Sequence, residues 1–92
     1  MNKDGAVLNF MAYLTKHIER KKEFYDGANE KVKKLDTSYV LALCTEELGE
    51  IASALVRNRL HAARYECIDL AHTALLLFLA IESKLENENQ TL

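Results

Sequence analysis

Residues 38–79 read SYVLALCTEELGEIASALVRNRLHAARYECIDLAHTALLLFL, and two features of that run decide the fold. Apolar residues recur at helical spacing, and acids interrupt them twice, as Glu46-Glu47-Leu48-Gly49-Glu50 and as Glu66-Cys67-Ile68-Asp69. In the first half, Leu41, Cys44, Leu48, Ile51 and Leu55 alternate three- and four-residue steps, the seam of a helix packed in a bundle core. In the second half, Leu70, Leu75, Leu76, Leu77, Phe78, Leu79 and Ile81 point in nearly every direction, which predicts a helix at the centre of an assembly. Asp36 or Thr37 is the expected N-cap of the first helix, which extends to about Arg57 or Asn58. A short break, RNRLH, leads to the second, from about Ala62 to Leu85.

Working outward, an earlier helix is expected from about Gly5 to Phe24, with Asp4 as its cap. Val7, Phe10, Met11, Leu14 and Ile18 form its apolar stripe, opposite Lys16, Glu19, Arg20, Lys22 and Glu23. Residues 25–36 read as a connection carrying a basic run, Lys31, Lys33 and Lys34, and the final ENENQTL as a polar, frayed tail. There is no proline and there are three glycines, so little breaks long helices, and alternating strand patterns are absent. The expected fold is all-α: an antiparallel bundle of three main helices per chain, one domain over residues 1–92. With 49% hydrophobic residues, the chain carries more apolar surface than a small bundle hides. Oligomerisation, as a homodimer or homotetramer, is therefore expected to complete a four-helix-type core.

Twelve basic and 14 acidic residues give a net charge of −2, too balanced for a protein that grips a nucleic-acid polymer through a basic face. Cys44 and Cys67 fall inside apolar helical stretches without metal-type spacing and read as reduced, buried small hydrophobes. The N-terminus lacks a signal-peptide pattern. The longest apolar stretch, residues 67–81, contains Asp69 and His72 and is too short and polar for a bilayer, so no membrane is expected and the cytoplasm is the expected location.

At about 100° per residue, Glu47 and Glu50 fall beside Val40, Leu43 and Ala54, while Glu46 lies further round, towards Ser53 and Arg57. Glu66 and Asp69 share a stripe with Ala62, Thr73 and Leu76. Each helix thus turns an i, i+3 carboxylate pair inward or into a cleft, and residues 51–65 between the pairs suffice for a helical hairpin to bring them face to face. Buried carboxylates in a group must take up protons or bind something strongly positive. Mg²⁺ suits such oxygens, because it takes a few carboxylates together with waters and substrate phosphates. Taken singly, EELGE is an ordinary solvated helical run; the pairing of two such motifs in apolar helices is what points to a site.

EELGE followed by a short hairpin and ECID resembles the MazG-type all-α nucleotide pyrophosphohydrolases, whose pattern is EExxE, a spacer and ExxD; the likeness covers roughly Ser38 to Leu79. The resemblance implies Mg²⁺-dependent hydrolysis of a nucleoside triphosphate, the deoxynucleoside form foremost, to the monophosphate and pyrophosphate, as in cleaning the nucleotide pool. It implies Glu47, Glu50, Glu66 and Asp69 as metal ligands, with Mn²⁺ able to substitute, and Glu46 as a supporting acid. It also implies a dimer or tetramer. Glu47 or Glu50 would serve as base. The spacer is short and lacks a Gly- or Asp-rich turn, so the hairpin must be tight. Lys33, Lys34, Arg57, Arg59 and Arg64 are candidates for phosphate contact, and Tyr13, His17 and Tyr39 for the nucleobase, since there is no Trp to stack on it. Surface charge and partial core are the ordinary uses of these same residues. Two other classes fit less of the pattern. A redox di-metal bundle would use Asp69 and His72 but wants a Glu-x-x-His from each of two helices; a non-catalytic helical interaction module would leave the acids exposed.

Overall fold

The computed structural model describes residues 2–21 and 36–90 and consists, over them, of three helices and no strand. Helix α1 spans Lys3–Lys21, α2 spans Thr37–Val56 and α3 spans Leu60–Gln90. The fold is all-α, as the periodicity requires.

Local chemistry sets the helix ends. Asn2, and not Asp4, starts α1: its Oδ1 accepts from the Gly5 N–H at 2.7 Å, and Asp4 sits inside the first turn, where a negative charge meets the positive end of the dipole. Arg20 and Lys21 occupy the last turn, and the expected extension to Phe24 lies outside the described residues. Asp36 caps α2 as expected, its Oδ1 accepting from Ser38 N–H at 3.2 Å. The link from α2 to α3 is a tight turn. Asn58 takes the left-handed conformation (φ 55°), which asparagine tolerates better than most residues. The Arg59 N–H then donates to Ala54 O at 2.8 Å, and α3 begins at once. The far end of this hairpin is tied by Lys84 Nζ, which donates to Thr37 Oγ1 at 3.3 Å, so α2 lies antiparallel along α3 for its whole length. Helix α3 runs past its expected end at Leu85 to Gln90, because no glycine or proline in ENENQ stops it.

Packing departs from the predicted seam in one respect. Val40, Glu47 and Ala54, seven residues apart, form the stripe of α2 that meets α3, with Val40 and Ala54 buried; on α3, Ala63 and Ala80 are buried, and Ile68 is buried on the side that lines the cleft with α1. Leu41, Leu48 and Leu55 lie one residue further on, about 100° round the helix, and are more than half exposed. Cys44 and Ile51, between the two stripes, are half-buried. Small alanines at the contact let the helix axes approach closely, and Ile68 alone removes apolar surface equivalent to about 1.5–3 kcal/mol. Helix α1 packs on α3 and not, among the described residues, on α2. It does so through its C-terminal half: His17 is buried and Leu14 and Ile18 are half-buried, whereas Val7, Phe10 and Met11 of the expected stripe are exposed. Cys67 is also a correction. It is exposed, facing away from both neighbouring helices, while Cys44 is half-buried, and neither forms a disulfide. Among the described residues no helix is long and apolar enough to cross a membrane.

Candidate metal and substrate site

The α2–α3 hairpin carries out what the acid spacing foreshadows. Glu47 stands in the α2 stripe that faces α3, and Glu66 and Asp69 stand one turn apart on α3. One carboxylate oxygen from each of these three lies within 4.8 Å of the others. Glu47 Oε2 and Glu66 Oε2 are buried and have no hydrogen-bond partner in the protein. Such orphaned oxygens are costly in a folded core unless something positive or protic meets them.

The titration of the group reflects that cost. Burial raises the Glu66 carboxyl to about 7, helped by the nearby carboxyls of Glu50 and Glu47, which favour its protonated form, and by the charges of Glu50 and Asp69. Burial also raises Glu47. Without a cation the cluster therefore relieves its repulsion by holding a proton near neutral pH. Glu50 is exposed and stands beside Glu66 at the mouth of the cluster, outside the three-oxygen group. Glu46 is exposed and turned away, as its place on the helical wheel requires.

A cleft of about 170 Å³ opens beside the acids, lined by Glu50, Ser53, Ala54, Arg57, Arg59, Ala62 and Glu66. It sets two arginines at the edge of the carboxylates, because the tight turn places Arg57 and Arg59 at the helix junction next to the last turn of α2. A second cleft of about 230 Å³ lies between α1 and α3, lined by Tyr13, Arg20, His61, Arg64, Tyr65 and Ile68. There the Arg64 guanidinium sits 5.3 Å from the centre of the Tyr13 ring. The sequence candidates for substrate contact are thus divided. Arg57 borders the acids, Tyr13 and Arg64 face each other in the second cleft, and Lys33 and Lys34 lie outside the described residues.

His17 takes a different place from the nucleobase contact expected of it. It is 1% exposed, and its Nε2 lies 2.9 Å from Asp69 Oδ1. Its ring meets His72 edge-on at 5.1 Å and Tyr65 at 5.8 Å. Burial lowers the basicity of both histidines, with Asp69 working the other way. The available signal was a histidine one position from Ile18 and three from Leu14, on the stripe α1 must bury.

A family model described as phosphoribosyl-ATP pyrophosphohydrolase matches residues 7–87. The chain belongs to the phosphoribosyl-ATP pyrophosphohydrolase family. This is a MazG-like, all-α pyrophosphohydrolase type of family, as the EELGE and ECID motifs implied, and the match takes in all three helices. No curated protein and no solved structure matches the chain.

Proposed function

We propose that this protein hydrolyses a nucleoside triphosphate to the monophosphate and pyrophosphate, with Mg²⁺ held by Glu47, Glu66 and Asp69 and with Glu50 beside them at the mouth of the cluster. The observation that carries the reading is the meeting of Glu47, Glu66 and Asp69 from two helices, with two of their oxygens buried and unpartnered. That donor set, hard oxygens of summed negative charge, fits a small divalent cation better than any neutral ligand. Held by these carboxylates, a divalent cation would supply positive charge to offset that on the phosphate oxygens. The rest falls to the chain's own residues. Arg57 and Arg59 hold phosphate oxygens at the edge of the cleft. Glu50, exposed beside the cluster, takes a proton from the water that adds to phosphorus, and pyrophosphate leaves.

Deoxynucleoside triphosphates are the first substrate class, with pool cleaning as the role. A second reading has one observation in its favour: the matched family description names phosphoribosyl-ATP. Pyrophosphate release with Mg²⁺ across canonical and modified nucleoside triphosphates and phosphoribosyl-ATP separates them. Turnover of phosphoribosyl-ATP alone would replace the first reading by the second. Release from none of them would remove both.

The working unit is a homodimer or homotetramer. Leu41, Leu48 and Leu55 at heptad spacing on α2, together with Phe78 on α3, are more than half exposed in the single chain, and a second copy is the natural cover for them. Free Cys44 and Cys67 suit a reducing compartment such as the cytoplasm.

A further inference from the structure

Helix α1 contributes no carboxylate to the cluster, yet His17 is its one buried side chain among the described residues. The His17 hydrogen bond has a definite sense. Asp69 Oδ1 can only accept when ionised, so the 2.9 Å contact requires a proton on His17 Nε2. His17 Nδ1 is buried with no partner, and a proton there would be an unsatisfied donor. Nε2–H is therefore the donor that His17 aims at this one oxygen. Its orientation is fixed by the edges of Tyr65 and His72.

We propose that His17 is a positioning residue: its Nε2–H fixes the rotation of the Asp69 carboxylate towards Glu47 and Glu66, and so couples cation binding to the docking of α1 on α3. The inference rests on the reading of Asp69 as a ligand. An aspartate without this bond is free to turn about its terminal torsion, and a cation binding it must first immobilise it. With the bond in place that ordering is already done. Outer hydrogen bonds of this kind change metal affinity by about 10–100-fold. Coupling is reciprocal, so a cation that binds more tightly when α1 is docked must also hold α1 in place.

The test needs no substrate. Free Mn²⁺ is followed by electron paramagnetic resonance during titration into the full chain, for wild type, His17→Leu and His17→Gln. Leucine fills space without a donor, whereas glutamine restores an N–H. His17→Leu is expected to weaken Mn²⁺ binding by about 10–100-fold, and His17→Gln to recover most of it, with helicity in chelator unchanged in both. A purely structural histidine would lower stability and leave the glutamine variant no tighter than the leucine one. Hydrogen exchange on the wild-type chain decides independently, should a variant not fold. Mg²⁺ is expected to slow the amides of α1 around His17 as well as those of α2 and α3. Equal Mn²⁺ affinity in wild type and His17→Leu overturns the inference, as does α1 exchange indifferent to Mg²⁺ while α2 and α3 are protected. A wild-type chain that binds no Mn²⁺ at all overturns the metal reading itself.

Discussion

Glu66 holds its proton to about pH 7 because it is buried among other carboxyls, and that has a consequence for stability. A carboxyl whose folded value lies above its ordinary 4.5 contributes stability that is full below about 4.5 and lost as pH rises through about 7. His17 and His72 work in the opposite sense: their lowered values make stability full above 6.5 and lost as pH falls. The two trends overlap in a simple pH–stability curve, so the clean observable for the acid cluster is the gain in melting temperature on adding Mg²⁺. That gain is expected to grow as pH rises through about 7, since below it protons compete for the same oxygens. A hundredfold excess over Kd would contribute about 2.7 kcal/mol. A gain independent of pH, or none, would contradict the shared proton-or-cation site. Substitution gives a second check. Glu50→Gln and Asp69→Asn are expected to lower pyrophosphate release by about 10²–10⁴ while far-UV helicity is retained; near-full activity in either would show that residue to be outside the machinery. Much of this was legible in the sequence, because an i, i+3 acid pair on each of two apolar helices states which side chains can meet. The burial of His17 had a signal in its stripe, but its contact with Asp69 was not legible, since that partner lies on another helix and only the packing of α1 reveals it.

At the scale of the element, helical periodicity predicts each helix, and capping residues predict their ends only where the signal is unambiguous. For α2 the sequence offered Asp36 or Thr37, and the structure uses Asp36. At the start of α1, Asn2 and Asp4 compete as caps and the structure uses Asn2. The heptad of leucines on α2 shows why a seam is ambiguous: periodicity reveals that a stripe is apolar, not whether its partner is the same chain. The stripe facing α3 includes Glu47, which a hydrophobic pattern passes over. Gly49 offers a test of α2 itself. A Cβ built there would meet nothing within 4 Å, so the glycine only adds backbone freedom to the unfolded chain. Gly49→Ala is expected to stabilise the protein by about 0.5–1 kcal/mol in denaturant unfolding. A loss of stability instead would mean that another backbone approaches α2 at this point.

For the whole molecule, the outstanding fact is how much apolar surface one chain leaves open. Val7, Leu8 and Met11 on α1, Leu41, Leu48 and Leu55 on α2, and Phe78 on α3 are all more than half exposed. At about 25 cal/mol per Å², covering several such side chains is worth several kcal/mol, comparable to the stability of a small domain. Leu48→Asp and Phe78→Asp are therefore expected to dissociate a homo-oligomer and lower activity together, with the acid cluster intact. Light scattering that finds the wild-type chain monomeric and active at about 10.5 kDa would remove the shared-core proposal. The central claim is the union of carboxylates, cation and phosphoanhydride, and one measurement addresses it directly: pyrophosphate release from the nucleotide panel by wild type and Glu66→Gln, each with Mg²⁺ and with chelator. Release is expected from wild type with Mg²⁺ alone, falling to background in chelator and in Glu66→Gln. Undiminished release in chelator, or from Glu66→Gln with Mg²⁺, would contradict it.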